Sequence, residues 1–263
     1  MKTIAFTNQK GGVGKTTSTI NVGAGLCRKG KKVLLVDLDP QANLTYSLRM
    51  SSNRLDTSIY DVLKGKVNPE DTIISHNGFD IMPSSIDLSG AEMEFASEPA
   101  REMILKNKLR PFYDKYDYIL VDCPPNLGLL TLNAFSAVNE IFIVLQSEYL
   151  ALHGLSKLMD VIKVVKERLN PDIEITGIIC TLYDGRKNLN REVVDHIKDY
   201  FGDKVFDTII RDNVALAEAP SHHKTIFEYD PESYGAKDYQ ALADEISTNG
   251  TKARMPELDT LKV

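Results

Sequence analysis

Three glycines, two lysines and two threonines fall within the stretch Gln9-Lys10-Gly11-Gly12-Val13-Gly14-Lys15-Thr16-Thr17. Glycines let a backbone turn with several N–H groups facing inward, which makes a nest for anionic oxygens. Residues 3–7 read as a strand leading into this loop, and a helix is expected to run from it to about Arg28, offering its positive end to the same anion. In that context Lys15 is placed to reach the β and γ phosphates of a nucleotide, and Thr16 to put its hydroxyl on Mg²⁺. Phosphoryl transfer asks for charge neutralisation and a placed nucleophile more than for covalent chemistry. Carboxylates for that purpose stand just beyond two apolar runs, as Asp39 after residues 33–36 and Asp122 after residues 118–121.

Such residues need a scaffold that brings strand ends together. Short apolar runs at 3–7, 33–36, 118–121, 141–145 and 175–180 read as strands, each apolar on both faces. Strands of that kind belong to a sheet covered on both sides, so the expected fold class is α/β, a single doubly wound, mostly parallel sheet with helices on both faces. The clearest helix is expected over residues 150–169, where Leu155, Leu158, Met159, Ile162, Val165 and Leu169 recur at the spacing of one buried face and Lys157, Lys163 and Lys166 point to solvent. Residues 51–109 are less regular and read as an insertion between core elements, with a short helix at 59–63 and a possible strand at 79–82. One domain over 1–248 and a flexible tail over 249–263 are expected.

Composition narrows the classes. Hydrophobic residues at 43% and charged residues at 26% of the 263 are those of an ordinary globular chain, and a net charge of −6 argues against coating nucleic acid by bulk positive charge. Any DNA contact then needs a local patch, and Arg186, Lys187 and Arg191 are the candidates. The cysteines, Cys27, Cys123 and Cys180, have no CxxC spacing, so neither a disulfide framework nor a zinc site is indicated. No leader and no membrane span are expected, and the expected location is the cytoplasm.

The usual phosphate-loop pattern has glycine where Gln9 stands, and this loop carries the extra lysine Lys10 instead. The form KGGVGKTT resembles the deviant Walker A motif of the ParA/MinD family of ATPases. Asp37-Leu38-Asp39-Pro40-Gln41-Ala42-Asn43 resembles the switch I segment of ParA/Soj-type chromosome and plasmid partition ATPases, and Asp122-Cys123-Pro124-Pro125-Asn126-Leu127-Gly128 their Walker B and switch II. The resemblance runs from Lys2 to about Glu245 and implies a P-loop NTPase fold with ATP and Mg²⁺ as cofactors. It implies catalytic roles for Lys10, Lys15 and Asp39, with Lys10 contacting phosphate across a dimer and Asp39 orienting or deprotonating the attacking water. Nucleotide contacts are implied for Lys10, Gly11, Gly12, Val13, Gly14, Lys15, Thr16, Thr17, Arg211 and Asn213, and metal contacts for Thr16, Asp39 and Asp122. The implied partners are a second copy of the chain, a ParB-like activator and nonspecific double-stranded DNA, with the nucleoid as the place of action. Two departures bear on this: Arg211 stands where the family commonly has proline, and Ala215 where it has a DNA-contacting arginine. A MinD-like membrane cycle would need a basic amphipathic C-terminal helix, and Met255, Leu258 and Leu261 with acidic neighbours make a poor anchor, so no membrane partner is expected.

Overall fold

The structure is a computed structural model that describes residues 1–48, 56–148 and 155–248. The strands are β1 (Lys2–Thr7), β2 (Val33–Asp37), β3 (Ile74–His76), β4 (Phe79–Met82), β5 (Tyr118–Asp122), β6 (Glu140–Gln146) and β7 (Glu174–Thr181). The helices are α1 (Lys15–Arg28), α2 (Asn43–Leu48), α3 (Ile59–Leu63), α4 (Ala91–Glu94), α5 (Ile104–Leu109), α6 (Leu129–Ala137), α7 (Leu155–Arg168), α8 (Asn188–Phe201), α9 (Val214–Glu218), α10 (Ile226–Tyr229) and α11 (Tyr234–Thr248).

One seven-stranded sheet has the order β3-β4-β2-β5-β1-β6-β7, and every pairing is parallel except β3 with β4. Its strands are apolar on both faces because both faces are covered. Ala5, Leu34, Val36, Ile119 and Val121 pack under α3, α5, α6, α7 and α8. Their neighbours Ile4, Phe6, Leu35 and Leu120 pack on the other side under α1, α2, α10 and α11. The period-two alternation of the strands thus feeds two separate cores. Five expected strands are all present, and α7 buries Leu155, Leu158, Ile162 and Val165 while Lys157, Lys163 and Lys166 are exposed. The start of that expected helix and the tail over 249–263 lie outside the described residues.

The reading of 51–109 as an insertion is corrected. Residues 79–82 form β4, which lies in the sheet beside β2 with Leu34 opposite Asp80 and Val36 opposite Met82. Strand β3 returns antiparallel through the two-residue turn Asn77-Gly78, both at positive φ (39° and 100°), the geometry of a tight hairpin. The same segment supplies α3, α4 and α5 to one core.

Helix α1 lies close to the sheet because Gly23 faces it: a Cβ there would stand 2.6 Å from Leu35 Cδ2. Gly23→Val is expected to force α1 off β2 and to lower the stability by about 1–3 kcal/mol, read as a lower urea midpoint with an unchanged slope. A midpoint equal to that of the parent would show that the helix can move away at no cost.

Candidate nucleotide site

The strand order reverses around β1, which has β5 on one side and β6 on the other, and open α/β sheets bind ligands at such a point beyond the strands' C-terminal ends. The glycine loop leaves β1 there. Gly12 and Gly14 have φ of 75° and 89°, a region closed to most side chains, and Gly14 is the N-cap of α1. A Cβ built on Gly11 or Gly12 would meet no atom of the described residues within 4 Å, so the space beside these two glycines is open. The loop is tied down from a distance by Thr181, the last residue of β7, whose buried hydroxyl donates to Val13 O at 2.7 Å.

Lys15 is the first residue of α1 and is 7% exposed. Its ammonium donates to Lys10 O at 3.1 Å, the one hydrogen bond it makes among the described residues. Burial pushes its pKa down, and the nearby Asp122, Cys123 and Asp39 push it back up. Next along the helix, Thr16 Oγ1 donates to Asp122 Oδ2 at 2.7 Å.

Asp37 and Asp122 are in register at the ends of neighbouring parallel strands, and both are fully buried. Desolvation pushes the Asp37 carboxyl up to about 6 even though it accepts hydrogen bonds from Thr45 N at 2.9 Å, Thr45 Oγ1 at 2.7 Å and Asp39 N at 3.2 Å. Desolvation, followed by the charge of Asp37, raises Asp122 well above the carboxylate range. Two carboxylates this short of compensating charge, each with a threonine hydroxyl on it, are the donor set a hard divalent cation takes up, directly or through its waters. Asp39 is buried as well, at 7% exposure, with Oδ1 receiving Gln41 N at 2.9 Å and its backbone carbonyl receiving Ser84 Oγ at 2.8 Å. Lys15, Thr16, Asp39 and Asp122 therefore converge at the C-terminal ends of β1, β2 and β5.

The remaining sequence candidates stand further out. Lys10 Nζ reaches across to the end of β6, to Gln146 Oε1 at 3.2 Å and Glu148 Oε2 at 3.0 Å. Val13 is buried under the loop, and Thr17 accepts Asn21 Nδ2 on its carbonyl. Arg211 lies beside the end of β7, bridged to Tyr183, with its guanidinium on Asp238 (Nε to Oδ2 3.0 Å, Nη2 to Oδ1 2.5 Å) and stacked 4.1 Å over the Tyr234 ring. The Asn213 side-chain oxygen caps α9 by accepting Ala215 N at 3.0 Å, which leaves its amide group without a protein partner among the described residues. Arg186 and Lys187 stand in the loop after β7 and Arg191 in the first turn of α8, all three exposed. Asp184 sits among them: it receives Arg186 Nε and Nη2 at 2.9 Å each, with Lys187 3.9 Å away, and the Arg186 hydrogen bonds hold its pKa down at about 2. Arg191 has no ion-pair partner among the described residues.

Sequence reasoning passed over Asp37, Thr181, Glu148 and Asp238. Asp37 lay inside a quoted motif, whereas the others have their roles only through contacts made at long range.

Comparison with known proteins places the chain among characterised ones. The AAA-domain family AAA_31 matches residues 1–175. The chain is 51% identical to the chromosome-partitioning ATPase Soj of Treponema pallidum over 248 residues, covering 93% of this chain and 96% of that protein. It is 47% identical over 251 residues to the sporulation initiation inhibitor protein Soj of Bacillus subtilis, covering 95% and 99%. Among solved structures it superposes with a TM-score of 0.86 on a cobyrinic acid a,c-diamide synthase from Mycobacterium smegmatis bound to an ATP analogue and magnesium, at 35% identity over 97% of both chains.

Thr181→Val keeps the shape of the side chain and removes the donor to the loop, leaving Val13 O unpaired. The expected result is a loss of about 1–3 kcal/mol in urea denaturation, with Thr181→Ser close to the parent. If Val and Ser variants unfold alike, the hydroxyl does not hold the loop.

Proposed function

Since the chain belongs to the AAA-domain family and, within it, to the Soj/ParA partitioning ATPases, we propose that it is a Mg²⁺-dependent ATP hydrolase. It forms a sandwich dimer with ATP, binds nonspecific duplex DNA in that state, and drives segregation of a chromosome or plasmid in the cytoplasm, on the nucleoid, with a ParB-like activator. The observation that carries this reading is the convergence of Lys15, Thr16, Asp39 and Asp122 beside a glycine loop with open space at Gly11 and Gly12.

Loop N–H groups, with Gly11, Gly12 and Gly14 leaving room for them, hold the phosphates, and Lys15 exchanges Lys10 O for a phosphate oxygen. That exchange favours the buried ammonium, whose one hydrogen-bond partner among the described residues is the neutral Lys10 O. Thr16 and Asp122 hold Mg²⁺, which when bound neutralises charge on the phosphate oxygens. Asp39 has one oxygen on the Gln41 N–H and uses the other to hold the attacking water. Lys10 leaves Glu148 and Gln146 to contact the nucleotide of a second copy. Asn213, with Arg211 fixed on Asp238 beside it, borders the base.

Lys15→Ala is expected to abolish ATP turnover and weaken nucleotide binding, and normal activity in that variant would sink the site. Chemistry and assembly then separate: with ATP, Asp39→Ala is expected to give a lasting dimer in light scattering, whereas Lys10→Ala stays monomeric. Equal dimerisation of both variants and the parent would remove Lys10 from the interface.

One observation favours an alternative, a cargo-positioning ATPase that does not use DNA as its matrix. Asp184 already neutralises Arg186, and Ala215 brings no charge. Nonspecific DNA affinity comes from lysine and arginine releasing counterions, so binding to a random duplex over a salt series with ATP decides between the two. Weak, ATP-dependent binding is expected. Arg186→Ala is expected to weaken it, and Ala215→Arg to tighten it and steepen the salt slope by about one ion per added phosphate contact. No binding by the parent at low salt would select the alternative.

A further inference from the structure

Helix α4 is anchored in the core by Ala91, with Phe95 just beyond its end. Between these anchors Glu92 lies against Gly128. Gly128 has φ −87° and ψ −164°, extended backbone open to any residue, so its glycine answers a demand for space. A Cβ on Gly128 would fall inside the Glu92 carboxylate, 2.9 Å from its carboxyl carbon. The Glu92 Oε1 atom is buried and has no hydrogen-bond partner among the described residues.

The position of that carboxylate explains why it is tolerated. Gly128 is the N-cap of α6, a helix with no acidic residue in its first turn and no side chain capping it. The N–H groups of a helix's first turn carry partial positive charge, and the Glu92 carboxylate, beside Gly128, stands at that end of α6 without hydrogen-bonding it through Oε1 among the described residues. The same helix is held further along by Asn133, whose amide donates to Arg101 O at 2.8 Å and whose oxygen accepts Leu105 N at 3.0 Å. The segment between β4 and β5 thus grips α6 at both its start and its middle. Gly128 also ends the loop 122–128, which begins at Asp122.

We propose that Glu92 is a positioning residue for ATP hydrolysis: its carboxylate, seated against Gly128 at the start of α6, fixes the loop that begins at Asp122. The proposal rests on the ATPase reading above. Phosphate binding by the glycine loop does not pass through Glu92, so its loss acts on the rate of the chemical step and spares nucleotide affinity.

The test is steady-state hydrolysis of Mg²⁺-ATP by the full chain, with thermal melts of the nucleotide-free protein. Glu92→Gln keeps the side chain's size and removes its charge, and is expected to lower kcat about three- to tenfold with KM for ATP unchanged within about twofold. Gly128→Ala displaces the carboxylate and is expected to lower both kcat and the melting temperature. Adding Glu92→Ala to Gly128→Ala removes the clash, so the double variant is expected to regain the melting temperature and to show the kcat of Glu92→Ala alone, as coupled positions do. Strictly additive effects, or a Glu92→Gln variant with the parent's kcat, overturn the proposal while leaving the ATPase reading intact. A parent without ATP turnover overturns both.

Discussion

Asp37 and Asp122 cannot reach water, and the architecture around them follows from that. The two residues are level on adjacent parallel strands, so the sheet register itself brings their carboxyl groups together. Neither is neutralised by an ion pair among the described residues. Thr45 and Thr16 supply hydroxyl donors and Lys15 supplies a nearby positive charge that is itself short of partners. Buried charges of this kind destabilise a resting protein and are retained where a ligand completes them. The site is accordingly a set of groups whose charged forms burial disfavours, two carboxyl groups and one ammonium, and whose deficits match a cation and a polyphosphate.

That set is tied down on both sides. Toward β7, Thr181 fixes the glycine loop through Val13 O, and residues 205–211 run alongside the strand with bridges at Ile178 and Tyr183. Toward β2, the segment after Asp37 turns through Ala42, a non-glycine residue at φ 53°, and closes on itself through Asp39 O to Ala42 N at 2.8 Å. Left-handed backbone at a residue with a side chain costs about 1–2 kcal/mol, so the contacts around Asp39 hold a turn that the chain would not adopt unaided.

How much of this the amino-acid sequence discloses depends on the range of the interaction. The glycine loop, Lys15 and Thr16 are contiguous and their chemistry is local, so they could be read directly. The parallel strands could be read as well, because burial on two faces leaves unbroken apolar runs such as residues 118–121. Asp37 could not be assigned a role, since its importance lies in its pairing with Asp122, which is a property of register. Thr181 and Glu148 are distant in sequence from the residues they hold, and nothing local marks them. The hairpin of β3 and β4 is a different case: Asn77-Gly78 is a strong turn signal, yet a three-residue strand beside it is too short to show a period. Residues 51–109 consequently looked like an insertion, although within them β3 and β4 complete the sheet and the segment before β5 braces α6.

The short, reversed strand β3 bears on how such a molecule survives crowding. A parallel sheet that ended at β4 would offer an open ladder of amide and carbonyl groups to any passing extended chain. With β3 added antiparallel, the outermost rung is three residues long and carries the polar Ser75, and long flat edges are what amyloid-type pairing requires. At the opposite border the stretch from Val205 to Arg211 lies along β7 and occupies part of its free side. Both edges of the sheet are blunted, which disfavours strand-to-strand pairing between copies of the chain.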